Sequence, residues 1–281
     1  MMQKVKIVTD STVDLPKEVI DQLQIHVIPL SFTIDGETYL DGVDITPEQF
    51  MKKMREAEEL PKSSQPSTGQ FLEVYDRLGS EGCEIVSIHM TGGMSGTVRS
   101  AESAAAMTNA NVTVVDSRFI SIALGFQVVE AAKMAQQGKT VQEIIQHLDQ
   151  IRANTNLFVT VDTLENLVKG GRIGRGKALI GSLLNIKPIA SLADGVYTPV
   201  AKVRSHSQMV KYLTNQFIQD TKGKKIKRVG IAHADALNLA ERLKQAIFEA
   251  TGFSETEIMY TTPIISTHTG PGALGFMYYV E

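Results

Sequence analysis

Along the first half of the chain, short β-branched runs alternate with stretches whose apolar residues recur every three or four positions. That alternation predicts a mostly parallel sheet with helices on both faces. Strands are expected over 4–9, 25–33, 84–89 and 112–115, and helices over 15–23, 46–58, 67–78 and 97–108. Two longer helical patterns, over 121–137 and 141–153, close this half. From residue 156 the pattern changes, and strands over 186–191 and 197–203 flank the turn residues Ala193-Asp194-Gly195 as a hairpin. A helix over 205–219, a strand over 227–233, a helix over 237–251 and strands over 258–263 and 275–280 follow. The pattern therefore predicts an α/β protein of two domains. Residues 1–157 form a three-layer α/β/α domain with a mostly parallel sheet, and 158–281 form a two-layer α+β domain with a mixed or antiparallel sheet. No low-complexity linker separates them, so they are expected to share a substantial interface, and a ligand pocket is expected in the cleft between them.

Composition narrows the function. The 281 residues, 43% hydrophobic and 21% charged, suffice for two compact cores. A net charge of −3 made of interspersed charges offers no basic face for nucleic acid. Cys83 is the single cysteine, which excludes an intramolecular disulfide and a cysteine-rich zinc site and reads as a small packing residue. The N-terminus carries no apolar signal segment, and no apolar run approaches a membrane span. The expectation is a cytoplasmic protein with no stable membrane insertion, and a monomer.

Chemistry concentrates in two hydroxyl-rich turns, Ser63-Ser64-Gln65-Pro66-Ser67 and Met94-Ser95-Gly96-Thr97, each opening onto a helix. Hydroxyls and the free N–H groups of a helix start both donate to anionic oxygens, so the cargo should carry a carboxylate or phosphate. Ser67 with Gln70 has capping-box spacing and is assigned to structure, which leaves Ser63, Ser64 and Gln65 without a structural reason. Gly92 and Gly93 before Ser95 permit close approach of a ligand. In an open α/β sheet the functional loops follow the strands' carboxyl ends, here Asp10-Ser11-Thr12, Thr91-Gly92-Gly93 and Asp116-Ser117. Asp14 reads as the cap of the first helix, and no cluster has metal-ligand spacing, so neither a metal nor a cofactor is expected.

Gly171, four residues, then Gly176-Lys177 falls short of a phosphate-binding P-loop, because Ala178 replaces the hydroxyl residue that would hold magnesium. Arg172 on this glycine turn remains suited to an anion through its planar fork, while Arg175 and Lys177 also read as solvated charges. His26, His89, His147 and His206 sit in element contexts that suggest structural roles. His268, in Thr267-His268-Thr269-Gly270-Pro271-Gly272-Ala273, sits in an expected loop with hydroxyls on both sides, where it can bind an anion. Gly93-Met94-Ser95-Gly96 also approximates a nucleophile elbow with one glycine a position early, which keeps a serine acyl hydrolase using Ser95 and His268 in view.

Six segments together, Thr9 to Pro16, Ser63 to Ser67, Met94 to Thr97, Val115-Asp116-Ser117, Lys169 to Ile173 and His268 to Ala273, resemble the DegV family in order across essentially the entire chain. The resemblance implies a carrier that is not itself an enzyme, binds a long-chain fatty acid such as palmitate or oleate, and in some members presents it to a separate fatty acid kinase subunit. It implies carboxylate binding by Ser63 and Ser95, with Ser64, Gly96 and Thr97 completing the cradle, and it matches Arg172, Arg204 and His268 to the acyl-phosphate and partner step. Two departures stand out: Ser63 where the family usually has Thr, and Thr91-Gly92 where two serines are common. The acyl tunnel is expected in the second half, along Ile180, Leu183, Leu184, Ile186 and Ile189, residues that equally suit an ordinary core. A small ketose or phosphosugar ligand is a further alternative.

Overall fold

The computed structural model describes residues 5–180, 186–192 and 194–281. In chain order the first half contains β1 (Val5–Asp10), α1 (Lys17–Gln22), β2 (His26–Ile28), β3 (Ser31–Ile34), β4 (Glu37–Leu40), α2 (Pro47–Glu56), β5 (Lys62–Ser64), α3 (Thr68–Ser80), β6 (Glu84–His89), α4 (Thr97–Met107), β7 (Asn111–Asp116), α5 (Ser121–Gln136) and α6 (Val141–Ala153). The second half contains β8 (Thr155–Thr160), α7 (Glu165–Lys169), β9 (Lys187–Ser191), β10 (Thr198–Val203), α8 (His206–Thr221), β11 (Ile226–His233), α9 (Leu237–Thr251), β12 (Thr256–Tyr260), α10 (Pro263–Thr269) and β13 (Leu274–Val280).

The first sheet is parallel throughout, in the order β2-β1-β6-β7. The second is mixed, in the order β10-β9-β8-β13-β11-β12, with β11 and β12 its parallel pair. The expected α/β class and the contrast between the two sheets are therefore observed. The boundary drawn at 157/158 falls inside β8, a strand wholly within the second sheet.

The expected strand over 25–33 is two strands in two different sheets. Pro29 has no N–H for a ladder, so the chain leaves the first sheet after Ile28 and re-forms as β3 in a small antiparallel sheet, β4-β3-β5. Asp35-Gly36 turns this hairpin with φ of 48° and 83°, the conformation that Asp-Gly favours in a tight hairpin. The signal was in the sequence and predicts a hairpin that the run of apolar residues obscured. β5 pairs on the other side of β3, with Ser63 opposite Phe32. Residues 263–269 also differ from expectation: Thr262 is extended and Pro263 occupies the first helical turn, so His268 lies in the last turn of α10 rather than in a loop. α1 starts at Lys17, and Asp14 does not cap it.

The core joins both sheets. α5 packs between them, and every residue from Ser121 to Val129 is buried. One cluster runs from Ile7 and Val86 of the first sheet through Ile122 and Phe126 to Leu157, Val159 and Met277 of the second.

Candidate functional site

Between the two sheets, where β5, the loops after β6 and β7, and α10 converge, lies a cavity of about 300 Å3. Ser63 and Ser64 enter it from the end of β5, Gln65 from the following turn, Met94 and Ser95 from the loop before α4, Arg172 from the turn after α7, and His268 from α10. Leu30, Met90, Ile120, Val159, Leu167, Tyr197, Ile264 and Ile265 supply the apolar wall. A smaller apolar cavity of about 30 Å3 shares Ile120, Val159, Ile265 and Thr269 with it and extends toward Leu157 and Met277. Polar side chains and an apolar wall thus face one space.

Ser63 Oγ and His268 Nε2 are 2.7 Å apart. Burial, reinforced by the charge of Arg172, lowers the His268 pKa to about 4, so the ring is neutral near pH 7. Its Nδ1 is buried and has no hydrogen-bond partner among the described residues. A buried N–H without an acceptor is costlier than an idle ring acceptor, which assigns the proton to Nε2. His268 then donates to Ser63 Oγ and leaves the Ser63 hydroxyl proton for a ligand. Gly170 allows this packing, since a Cβ there would stand 2.3 Å from His268 Nδ1.

Ser95 Oγ lies 2.8 Å from Thr97 Oγ1 and accepts from the Thr97 amide at 3.3 Å. Gly96 caps α4 beside it, and Thr97 is buried. Arg172 donates through Nε to the Met94 carbonyl at 3.1 Å and through Nη1 to the Gly170 carbonyl at 2.6 Å. Its guanidinium therefore bridges the Ser95 loop and the His268 support, and burial lowers its pKa.

The DegV family model matches residues 4–281 of this chain. The chain belongs to the DegV family. It is 47% identical over 281 residues to the DegV domain-containing protein lmo1863 of Listeria monocytogenes, covering 100% of both chains. It is 43% identical over 276 residues to the DegV domain-containing protein SA1258 of Staphylococcus aureus, covering 98% of this chain and 99% of that one. Among solved structures, a fatty-acid-binding DegV family protein from Thermus thermophilus superposes with a TM-score of 0.93 at 33% identity, covering 99% of this chain and 100% of that one. DegV of Bacillus subtilis, described as a fatty acid binding protein, gives a TM-score of 0.91 at 32% identity with the same coverage.

Within this DegV fold the sequence-based residues separate. Ser63, Ser64, Ser95, Arg172 and His268 line one cavity, with Gly96 and Thr97 shaping the Ser95 turn. Arg204 does not join them: it is exposed before α8 and is not part of the cavity wall. Of the expected tunnel residues, Ile180, Ile186 and Ile189 do not line this cavity. Ile180 is 54% exposed and borders a separate surface depression with Ile186, Ile189 is core in the second half, and Leu183 and Leu184 lie outside the described residues. Position 91 has another use, since Thr91 Oγ1 donates to the Gly195 carbonyl at 2.9 Å and ties the two halves together. Arg175 pairs with Asp194 at 3.1 Å on the surface.

Among the described residues, His268 faces Ser63 rather than Ser95 and no carboxylate orients its Nδ1, so a Ser95–His268 hydrolase geometry is not formed by them. Ser87, His89 and Asp10 do form a chain, with Ser87 Oγ 2.6 Å from His89 Nε2 and Asp10 3.1 Å from Nδ1. All three are fully buried and none lines the cavity, so the chain has no access to substrate. Burial pushes the Asp10 carboxyl up, but its bonds with His89, Thr12 and the Met90 amide hold it below the usual range.

Sequence reasoning missed Asp14 and Asp41. Asp14 accepts from Ser121, from Thr261 Oγ1 at 2.8 Å and from the Thr262 amide at 3.1 Å. Asp41 accepts from Ser11 Oγ at 2.7 Å and the Ile264 amide at 3.4 Å. Burial raises their pKa values to about 6 and about 7. Together they fasten α10 to the first half. Only the fold reveals this, because their partners lie up to 248 residues away in sequence.

Proposed function

We propose that this protein binds a long-chain fatty acid in the cavity between its sheets, with the carboxylate held by Ser63 and Ser95. The observation that carries this reading is the convergence of Ser63, Ser95, Arg172 and His268 from four separate segments on one cavity with an otherwise largely apolar wall. A buried methylene contributes about 0.8 kcal/mol, so burying about fourteen of them gives on the order of 11 kcal/mol before ordering costs. The hydroxyls then select an acid head and the wall selects an acyl tail. The fatty-acid-binding relatives from Thermus thermophilus and Bacillus subtilis support the same reading. Leu30, Met90 and Ile120 in the wall disfavour a small ketose or phosphosugar.

In this reading the protein is a carrier, and a separate kinase subunit performs any acyl-phosphate formation. Arg172 is placed to meet added negative charge at the head. Arg204, being exposed and away from the wall, is assigned to contact with a partner rather than to the acyl group.

Organic extraction of purified protein followed by mass spectrometry should yield fatty acid, and delipidated protein should bind added palmitate or oleate. Ser63→Ala and Ser95→Ala should each weaken binding about tenfold, the scale of one charge-assisted hydrogen bond. Absence of extracted acid together with no binding of either added acid would sink the carrier reading.

A further inference from the structure

Gln65 belongs to the Ser63 turn, yet its side chain reaches the other hydroxyl turn. Its Nε2 donates to Ser100 Oγ at 2.8 Å, one turn into α4. On the way it crosses Gly96: a Cβ at residue 96 would stand 2.2 Å from Gln65 Oε1 and 2.8 Å from Nε2. Ser100 is buried, whereas Gln65 is exposed and borders the cavity. Pro66 follows immediately, with its φ restricted by the ring. The side chain thus bridges from the turn that carries Ser63 to the helix that follows Ser95, and its path requires a residue without a side chain at position 96.

We propose that Gln65 is a positioning residue, a strut that sets the separation of the Ser63 and Ser95 hydroxyls for a carboxylate, with Gly96 as its seat. This rests on the fatty-acid reading for the identity of the ligand, though not for the strut itself. Two hydroxyls on separate segments bind both oxygens of one carboxylate only when their spacing matches it, and pre-set spacing removes the ordering cost at binding. The strut therefore matters for an acid head and is indifferent to the tail.

The test uses Gln65→Ala, Ser100→Ala and the double variant of the full chain, with palmitate and hexadecanol as probes. Each single variant should weaken palmitate binding about tenfold, and the double variant should be no worse than either single one. Hexadecanol, which lacks the second oxygen, should bind all forms alike. Gly96→Ala, which displaces the Gln65 amide, should reproduce the palmitate loss. Unchanged palmitate affinity, or equal losses for acid and alcohol, overturns the proposal. A ligand-free measurement separates it from the carrier reading: amide exchange at Gly96 and Thr97 should quicken in Gln65→Ala while α5 stays protected. Unchanged exchange there overturns the strut, whereas a wild-type protein that binds no acid overturns the carrier reading alone.

Discussion

His268 illustrates how one side chain acquires its role from its surroundings. With a folded-state pKa of about 4 against an ordinary 6.5, it binds fewer protons folded than unfolded. Its contribution to stability is complete above about pH 6.5 and is lost as pH falls through about 4. Asp14 and Asp41 run the opposite way, because burial raises them to about 6 and about 7 from 3.8. Their contribution is complete below the unfolded value and is lost as pH rises through 6 and 7. Asp41→Asn removes the ionisation while an amide can still meet Ser11 Oγ and the Ile264 amide. The variant should melt higher than wild type at pH 8, and the gap should shrink toward pH 5. Thermal melts at both pH values check this, and a pH-independent gap would contradict it. Neither the depressed histidine nor the elevated carboxylates are legible in the sequence, since each shift comes from burial by distant segments.

At the scale of elements, local signals were reliable where the cause is local. Ser67 with Gln70 forms a reciprocal capping box at the start of α3, as its spacing predicts. Thr46 with Gln49 and Thr140 with Glu143 do the same for α2 and α6. The strand over 25–33 was misjudged because β propensity reports a run of residues but not which sheet each part joins. α5 shows the reverse limit: its near-continuous burial reflects two sheets pressing on it, and no stripe of its own announces them. Phe126 is fully buried within it, so Phe126→Ala should cost about 3–5 kcal/mol. Gly230 of β11 faces α5 so closely that a Cβ would stand 2.7 Å from Ile122 Cγ2. Gly230→Ala should cost about 1–3 kcal/mol through overpacking. Denaturant midpoints for the two variants test both values.

At the scale of the molecule, α5 makes the two sheets share one core, so the halves should not unfold separately. Calorimetry and far-UV circular dichroism should report one coincident transition, and two resolved transitions would contradict the shared core. A fragment ending at residue 157 would expose the α5 surface that Val159 and Met277 cover, and it should be aggregation-prone in ultracentrifugation. The sequence by itself determined the α/β class, the change of pattern near residue 156, the capping box of Ser67 with Gln70, and the hydroxyl turns with Ser63 and Ser95. Those features follow from periodicity, turn chemistry and side-chain type over a few residues. Tertiary structure decided that Ser63 meets His268, that Gln65 reaches Ser100, that Arg204 stands apart, and that Leu30, Met90 and Ile120 rather than Ile180, Ile186 and Ile189 wall the cavity. The physical reason is that an apolar wall and an apolar core use the same residues, and only the packing of distant segments shows which surface faces a space.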